Sequence, residues 1–348
     1  MDAVAPEAHA DRRIIVVDRP DAARWGEAIL TAIGAAAVPA RETVEHLLAA
    51  EDAGHPSHGL RMLVAMAEAT ARGELDPAAA PVLHAAAGSV ARIDGRRGLG
   101  PPTGRLAIAE AVRLAHRHGC AAVAVRAATN LGRLAPYAQT AAQSGCASFL
   151  CVNDGGANQR VVPAGGAAGR LSTNPIAFGF PRPDPPHLVV DMATSSYAHG
   201  TLAALLDAGR PLPADALAAE GTELMAPMAG YKGFALAVIV EALAGALTGA
   251  GVVGDPPPAE SQGALVLAID VAAVADAGAA TADLERALTW IRSSPSAGDG
   301  PVRIPGEATT ARAGETVAVA RGLWTTLIEL SRGLGIDPPP HTDEEDRP

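Results

Sequence analysis

The chain has 348 residues, of which 49% are hydrophobic and 19% charged, and its formal net charge is −11. The apolar content supports a folded core and argues against a disordered chain. The negative charge disfavours binding to nucleic acid or to anionic membranes, because both select basic surfaces. We therefore expect a small-molecule substrate, with no nucleic-acid or membrane partner.

The compartment is indicated by the cysteines, by the N-terminal residues and by the most apolar stretch of the chain. The odd number of cysteines without a CxxC pair disfavours disulfides and structural zinc, and favours a reducing compartment. Residues 1–13 lack the apolar core of a signal peptide. The most apolar stretch, residues 234–250, is short for a membrane span and contains Glu241. These features predict a cytoplasmic protein. The cysteines are Cys120, Cys146 and Cys151.

The first ninety residues are predicted to be mainly helical. Apolar residues at helical spacing predict two helices within residues 20–53. A break follows at residues 54–56, and Ser57 is expected to be the N-cap of a helix over residues 58–72.

From residue 89 onward, strands and helices alternate. The helix at residues 231–247 is apolar on nearly every face and is predicted to lie inside the fold. The Pro-rich, acidic tail is expected to be disordered. Predicted strands are 89–93, 121–126, 146–152, 176–180, 188–191 and 265–269; predicted helices are 106–118, 134–144, 231–247, 284–291 and 317–334.

A glycine-rich segment at residues 98–104 follows a strand and opens a helix, as a dinucleotide-binding fingerprint does. Its glycine spacing differs by one residue, and Pro101 and Pro102 remove backbone donors that a pyrophosphate needs. The strand ending at Arg126 is not followed by an acid that could bind the ribose. The segment therefore does not indicate a Rossmann site, and the chain contains neither a GxSxG nor a Walker A motif.

Residues 51–59 contain two acids and two histidines, and three interpretations stay open. On a continuous helix Glu51, His55 and His58 would share a face and could bind a metal, although Gly54 and Pro56 interrupt that helix. Alternatively, His58 is a general acid or base near neutral pH. It could also be a solvated loop histidine.

Two further candidate site residues are charged and lie at the end of a predicted strand or at the start of a predicted helix. Asp191 ends an apolar strand, where it either faces a ligand or caps the next helix. Lys232 stands at a helix N-terminus, where the helix dipole disfavours a cation. It therefore serves an anionic ligand such as a cofactor phosphate, or it is a surface lysine.

The order of these motifs resembles the malate/L-lactate dehydrogenase-like family. That family includes ureidoglycolate dehydrogenase, 2,3-diketogulonate reductase, L-sulfolactate dehydrogenase and cyclic-imino-acid reductases. The similarity extends from about residue 20 to residue 335. The matching segments are residues 51–59, 93–95, 165–166, 173–176, 191–195, 230–233 and 304–307.

The resemblance implies an α+β fold whose NAD(P)-binding domain is not a Rossmann fold but a mostly antiparallel or mixed sheet. A helical domain is built from both chain termini, residues 14–90 plus 308–336. The sheet-containing domain covers residues 91–307, and residues 337–348 form a disordered tail. The resemblance also implies a homodimer.

The implied activity is hydride transfer from NADH or NADPH to a carbonyl or cyclic imine, in a substrate of the 2-oxo acid, 2-hydroxy acid or ketimine type. His58 is the implied proton donor. Asp191 is implied to help to keep the site in place and to maintain its protonation state. No metal is implied. Implied cofactor contacts are Asn153, Asp191, Met192, Ala193, Thr194, Lys232, Pro305, Gly306 and Glu307. Predicted substrate contacts are Ser57, Arg61 and Asn130.

The sequence departs from the family pattern at three places. Asn130 stands where the family often has a second histidine, and asparagine cannot carry a proton at neutral pH. Met62 stands where the family usually has an arginine, and Arg61 is rotated by about a quarter turn from that position. Loops at residues 211–227 and after Gly251 are short. The departures point to an unusual substrate or, alternatively, to a catalytically impaired homologue that binds a ligand or partner.

Overall fold

The computed structural model describes residues 14–84, 87–198, 224–254, 261–298, 300–307 and 314–343, together with residues 200, 202, 205, 212–213 and 215–218. The strands are β1 Ile14–Asp18, β2 Val82–His84, β3 Val90–Asp94, β4 Cys120–Ala128, β5 Cys146–Asn153, β6 Ile176–Phe180, β7 Leu188–Met192, β8 Gln262–Asp270, β9 Thr316–Ala320 and β10 His341–Asp343. The helices are α1 Arg19–Ala32, α2 Ala37–Asp52, α3 Arg61–Ala71, α4 Gly100–His118, α5 Ala135–Gln143, α6 Tyr231–Val240, α7 Val271–Val274, α8 Ala277–Arg292 and α9 Arg321–Gly333.

A seven-stranded sheet has the order β2-β3-β4-β8-β5-β6-β7. Only β3 and β4 pair in parallel within it, and α4 connects them; every other neighbouring pair is antiparallel. The prediction of helices combined with a mixed, mostly antiparallel sheet is confirmed. Because parallel strands need a crossover while antiparallel strands do not, one long helix suffices for the single parallel pair.

The main core lies between this sheet and the helices α4 and α5. Most of its buried side chains are alanine and valine, and aromatic residues make up only 3% of the sequence. Small side chains let the helices approach the strands closely, so that a core with few large residues is still well packed. The core members from α4 are Ala107, Ile108, Ala111, Leu114 and Ala115, and those from β4 are Ala121, Val123, Val125 and Ala128.

A second core joins the two ends of the chain. Buried side chains of α1, α2 and α3 pack with those of β9 and α9. The rings of Trp25 and Trp324 meet in its centre with centroids 5.0 Å apart. The proposed division into units at residues 90/91 and 307/308 stays a prediction, and residues 308–313 lie outside the described part of the chain.

The ends of the chain are not purely helical, which corrects the sequence-based expectation. β1 is paired with β9 and β10 in a three-stranded antiparallel sheet. Residues 317–320, expected to begin a helix, belong to β9, and α9 begins at Arg321. Val317 and Val319 are buried while their neighbours are not, so the segment has the two-residue period of a strand.

The expectation of a disordered tail is wrong for residues 337–343. β10 lies in this segment and pairs with β1, and His341 packs against Trp324 with ring centroids 4.8 Å apart. Its Pro-rich composition was compatible with disorder, but pairing with a strand at the other chain end orders it. Residues 344–348 lie outside the described residues.

The apolar helix at residues 231–247 is also not enclosed, contrary to the expectation. α6 ends at Val240, and a π-helical turn continues from Glu241 to Ala246. Val238, Ile239 and Leu247 are exposed. Mean apolarity predicted burial, but burial depends on what the fold places against each face. Among the described residues, no helix has the length and apolarity that a membrane crossing requires.

His46 is a buried titratable group on α2. It is 3% exposed and is stacked on Tyr137, with ring centroids 5.1 Å apart. Burial lowers the pKa of His46 to about 3, and the positive charge of Arg105 acts in the same direction. The imidazole is therefore neutral in the folded protein at neutral pH.

We expect acid to destabilise the fold through His46. The pKa of this histidine is about 3 when folded and near its ordinary 6.5 when unfolded. As the pH falls from 6.5 towards 3, the unfolded chain binds the proton first, so the free energy of unfolding decreases by about 1.4 kcal/mol per pH unit from this group. His46→Phe keeps an aromatic ring but cannot titrate, so urea unfolding between pH 4 and 7 should show a correspondingly smaller slope.

The control for this experiment is His84→Gln, which changes an exposed histidine on β2. It should retain the wild-type slope. The same pH dependence in wild type and His46→Phe would show that His46 does not carry the effect.

Candidate active site

A cleft of about 350 Å³ lies where several elements of the large sheet end. One wall is the turn at residues 55–58, and a second is the loop of residues 129–134 between β4 and α5, called here the site loop. The remaining walls are residues 152–154, residues 172–175 and the segment from Asp191 to Ala198. The cleft is therefore assembled from parts of the chain that are distant in sequence.

Glu51 shapes the turn that carries His58. Its Oε1 accepts a hydrogen bond from the backbone N–H of Leu60 at 2.7 Å, and its carboxylate occupies the space beside Gly59 that a Cβ would need. Ser57 does not cap a helix, contrary to the sequence-based prediction. Pro56–His58 form a 3₁₀ turn and α3 begins at Arg61, because Glu51 supplies the acceptor for the chain entering α3.

The metal-binding interpretation of Glu51, His55 and His58 is not supported by the structure. Within the described ranges no group of three or more His, Cys, Asp or Glu side chains is arranged to hold a metal ion. His55 is exposed and the Glu51 carboxylate is engaged by the backbone.

His58 faces the cleft from the end of the 3₁₀ turn. Its Nδ1 is buried without a hydrogen-bond partner among the described residues, so Nε2 is the nitrogen left accessible from the cleft. Burial lowers the pKa of His58; the negative charge of Asp191 raises it, while His55 and Arg133 lower it. The net shift is downward, so the imidazole is mostly neutral at pH 7.

Asp191 connects β7 to α5. Its Oδ2 accepts hydrogen bonds from the backbone N–H groups of Leu134 at 2.9 Å and Ala135 at 2.8 Å. These are unpaired donors of the first turn of α5, where the helix dipole favours a negative charge. Asp191 thus caps a helix that precedes it in the chain, and it also lines the cleft.

The site loop follows a β-bulge in β4. The β4–β8 register shifts between Val125 and Ala128, and Ala127 has a positive φ of 50°. A bulge redirects the end of a strand, and here it turns the chain towards the cleft. The positive φ of a non-glycine residue is unfavourable and is maintained by the surrounding contacts.

Hydrogen bonds fix the site loop on both sides. The Thr129 hydroxyl donates to the Gly98 carbonyl oxygen at 2.7 Å, and the Leu131 N–H donates to Gln262 Oε1 at 2.9 Å. The Asn130 side chain accepts from the Gly132 N–H at 2.8 Å through Oδ1. Asn130 lines the cleft, and its two amide N–H groups donate to no other described residue, so they can bind a ligand.

The glycine-rich segment at residues 98–104 supports this loop. A Cβ at Gly100 would overlap the carbonyl oxygen of Asn130, and one at Gly104 would overlap the ring of Tyr137. The Tyr137 hydroxyl in turn donates to the Leu131 carbonyl oxygen at 2.6 Å. These glycines therefore allow α4 to pack against the site loop and α5.

Arg133 is a cleft residue that the sequence analysis missed. It is only 8% exposed, although it lies on a loop. Its Nε is 3.8 Å from Asp191 Oδ2, and the side chain lines the cleft beside His58. An arginine in a Leu-Gly-Arg-Leu stretch carries no signal by itself, since only the fold shows that its side chain is directed inward.

A second polar cluster lies at the back of the cleft. The Glu241 carboxylate accepts hydrogen bonds from Asn174 Nδ2 at 2.9 Å and from the Val253 N–H at 3.2 Å, and Asn153 Nδ2 is 3.3 Å from it. Glu241 begins the π-helical turn, a helix type that is common at functional sites. Asn174 Oδ1 is buried without a partner among the described residues, and Asn174 has a positive φ of 37°.

The predicted site residues fall into two groups. Ser57, His58, Asn130, Asn153, Asp191, Met192 and Ala193 line the cleft. Thr194 is buried beside it, and its hydroxyl donates to the Thr173 carbonyl oxygen at 3.0 Å. Lys232, Arg61 and residues 305–307 lie outside the lining, and Lys232 and Arg61 are exposed.

The outlying residues still contact elements that lead to the cleft. The Cβ position of Gly233 lies against the Thr194 carbonyl oxygen, which places Lys232 next to the segment after β7. Gly306 lies against the backbone of His187 and Val189 at the start of β7. Glu307 forms ion pairs with Arg292 and with Arg182, the latter at 4.0 Å.

The fold matches that of a known dehydrogenase. A protein-family model described as malate/L-lactate dehydrogenase matches residues 17–327. The solved structure of a dehydrogenase from Sinorhizobium meliloti superposes with a TM-score of 0.81, at 29% identity, covering 93% of this chain and 99% of the other. The chain therefore belongs to the malate/L-lactate dehydrogenase family, and the predicted family is confirmed.

Two relatives show the range of reactions in the family. An L-lactate dehydrogenase from Cupriavidus necator is 30% identical over 322 residues, which cover 86% of this chain and 92% of the relative. A Δ1-pyrroline-2-carboxylate/Δ1-piperideine-2-carboxylate reductase from Pseudomonas aeruginosa is 33% identical over 227 residues, covering 62% and 65% of the two chains. Dehydrogenases and cyclic-imine reductases are thus both similar to this chain, which supports an oxidoreductase.

We expect Gly100→Ala to displace the site loop. The new methyl group must push the Asn130 carbonyl away, which is expected to destabilise the fold by about 1–3 kcal/mol. Hydrogen exchange should become faster at the amides of Leu134 and Ala135, whose bonds to Asp191 depend on the loop.

The matched control is Gly322→Ala on α9, where nothing lies within 4 Å of the added methyl group. This variant should be as stable as the wild type or slightly more stable. Equal stability and equal exchange in the two variants would refute the packing role of Gly100.

Proposed function

We propose that the protein is an NAD(P)H-dependent oxidoreductase that reduces the C=O or C=N bond of a small carboxylate, with His58 as the proton donor. The observation that carries the proposal is the position of His58, which lines the cleft together with Asp191 and Arg133, two residues whose charges act on its pKa. A titratable group with a shifted pKa in a polar cleft is typical of a catalytic acid or base.

The residues at the back of the cleft fit a nicotinamide. Asn174 Oδ1 is a buried acceptor without a partner among the described residues, and a carboxamide N–H is a group that could satisfy it. Asn153 is held in place from two sides, since its Nδ2 donates to the Gly251 carbonyl oxygen at 2.9 Å and its Oδ1 accepts from the Gly263 N–H at 3.2 Å. These fixed amides support a planar polar ligand at this end.

The remainder of the cofactor is proposed to follow β7 and the residues after it. Residues 191–194 lie at its end, and Gly306 lies against its beginning. Four residues of a strand span about 14 Å, so the strand can support an extended ligand. Because Gly233 packs on Thr194, the N-terminus of α6 and Lys232 lie beside this track, where they can bind a phosphate. Pro305 and Glu307 are proposed contacts at the other end.

A bound nicotinamide cofactor supplies the hydride to the substrate carbon. The role of His58 is to deliver a proton from Nε2 to the carbonyl oxygen or imine nitrogen. Asp191 favours the charged form of His58, and its bonds to α5 fix its own position. Ser57 and the Asn130 amide group, which also line the cleft, are proposed to orient the substrate. In the reverse direction neutral His58 takes the proton from the hydroxyl group.

The substrate class is suggested by the names of the relatives. Lactate and pyrroline-2-carboxylate both carry a carboxylate next to the carbon that changes oxidation state. A 2-oxo acid and a cyclic imine carboxylate therefore share one arrangement, a carboxylate next to the C=O or C=N carbon. The cleft would need to recognise this arrangement. Both belong in the first substrate panel.

Reduction should depend on the protonation of His58. Because burial lowers the pKa of this histidine, kcat/KM for reduction of pyruvate or Δ1-pyrroline-2-carboxylate should fall as the pH rises through a pKa below 6.5. Oxidation of L-lactate should rise through the same pKa. His58→Gln should lose at least about 100-fold in kcat/KM, followed at 340 nm, while binding NADH or NADPH normally.

Asp191→Asn provides the matched variant. It removes the charge that raises the pKa of His58, so the pH at which reduction is half-maximal should decrease. Turnover by His58→Gln at the wild-type rate would rule out its role. Cofactor binding without turnover on any panel member would favour the alternative of an impaired homologue, which the replacements at Asn130 and Met62 motivate.

Lys232 provides a specific test of the cofactor track because it is the only lysine in the sequence. Lys232→Ala should weaken NADH or NADPH binding about 5- to 30-fold, since an exposed lysine–phosphate contact contributes about 1–2 kcal/mol. Titration of cofactor fluorescence measures this. In the wild type, bound cofactor should protect the single ε-amine from acetylation.

The control is Arg117→Ala, which removes an exposed charge from the end of α4 opposite Gly100, about 26 Å away along the helix. It should bind the cofactor as the wild type does. An unchanged dissociation constant in Lys232→Ala would exclude Lys232 from the cofactor site.

The implied homodimer is also retained as a proposal. α6 and the following turn expose Val238, Ile239 and Leu247. Exposed apolar side chains on neighbouring turns of a helix are typical of surfaces that a partner covers. A second copy of this chain is the partner that the family resemblance implies.

A further inference from the structure

The charge of Arg133 is only partly balanced inside the cleft. In the described part of the chain its guanidinium forms one ion pair, with Asp191, and the distance of 3.8 Å is too long for a hydrogen bond. Asp191 Oδ2 is already engaged by the N–H groups of Leu134 and Ala135. The planar guanidinium of Arg133 has five N–H donors, and it lines the cleft, so it can still donate to a carboxylate bound there.

The backbone around Arg133 is fixed by hydrogen bonds and its side chain is only 8% exposed, which limits the positions that the guanidinium can adopt before a ligand binds. Leu131 is fixed by Gln262, Gly132 by Asn130, and Leu134 by Asp191, each through a backbone N–H. A binding group that is already ordered loses little entropy when its ligand arrives. The loop therefore presents a positioned arginine rather than a mobile surface side chain.

Met62 does not line the cleft. It lines a separate groove of about 120 Å³ with Ala65, Met66 and Ala69. Asn130 lies between the two spaces and lines both. The α3 side of Asn130 is lined by methionine and alanine and by Arg72, which is paired with Glu68 and Glu74. Arg133 is the arginine that lines the cleft itself, next to His58.

We propose that Arg133 binds the carboxylate of the substrate through two parallel N–H···O hydrogen bonds, and so places the neighbouring C=O or C=N carbon beside His58. This inference rests on the proposed function. A guanidinium matches a carboxylate in shape and charge, and such paired bonds are among the strongest in proteins. Arg133 then selects acids over uncharged amides, and protonated His58 adds to the same preference.

The test compares Arg133→Met and Arg133→Lys in the full-length protein with NADH or NADPH bound. Arg133→Met should lose at least about 30-fold in kcat/KM for pyruvate and Δ1-pyrroline-2-carboxylate, because truncating one partner of a buried charged pair typically has an effect of this size. Arg133→Lys should fall between, since it keeps the charge but not the paired geometry. Pyruvamide should be a poor substrate of the wild type, and the variants should use it equally poorly.

Binding of oxamate, an unreactive carboxylate, separates this inference from the proposed reaction. The cofactor-loaded wild type should bind oxamate, and Arg133→Met should bind it at least about 30-fold more weakly with the cofactor affinity unchanged. Arg133 also lowers the pKa of His58, so Arg133→Met should move the pH profile of reduction upward, which a purely structural role would not do. Arg117→Met should match the wild type in all of these measurements.

Oxamate binding that depends on Arg133 in a protein without turnover would support the anchor and reject the proposed reaction. Turnover with equal oxamate affinity in wild type and Arg133→Met would reject the anchor and leave the reaction intact. Equal use of pyruvate and pyruvamide by the wild type, or no binding of oxamate at all, would also overturn the anchor. Unfolding by urea establishes that the variants are folded.

Discussion

The geometry of the cleft depends on the carboxylate of Asp191 at the N-terminus of α5. Two backbone N–H groups bind one oxygen, so the end of β7, the site loop and the start of α5 cannot move independently. The same carboxylate raises the pKa of His58 and lies 3.8 Å from the Arg133 guanidinium. The one negative charge of Asp191 therefore positions the site loop, raises the pKa of His58 and attracts the guanidinium of Arg133.

The second constraint is the close approach of backbones around the site loop. Gly100 and Gly104 let α4 touch the loop and Tyr137, and strained backbone at Ala127 and Asn174 directs polar groups towards the cleft. Unfavourable backbone conformations persist only where neighbouring contacts enforce them. Asn174 lines the cleft and Ala127 lies two residues before the site loop, so contacts around the cleft maintain both conformations.

The polar cluster of Glu241, Asn153 and Asn174 shows how a helix interior can supply a buried acceptor. Glu241 lies in an otherwise apolar segment, and its burial is compensated by hydrogen bonds from two amide side chains and a backbone N–H. Unpaired, such a carboxylate would be strongly unfavourable inside the protein. The cluster fixes the two amide side chains at the back of the cleft. Apolar side chains elsewhere on the same helix are exposed at the surface.

The sequence by itself determined the family and the order of the main strands and helices, and it predicted the segments around His58 and Asp191 as parts of the site. These features follow from local apolar periodicity and from motifs a few residues long, both of which are read along the chain. It could not show that residues 317–319 form a strand, that residues 337–343 are ordered, or that α6 has an exposed face. Each of these depends on pairing or packing with residues hundreds of positions away. The tertiary structure alone decided that Asp191 caps an earlier helix and that Arg133, an unremarkable arginine in the sequence, lies buried beside His58, because burial and electrostatics are set by which distant segments fold together.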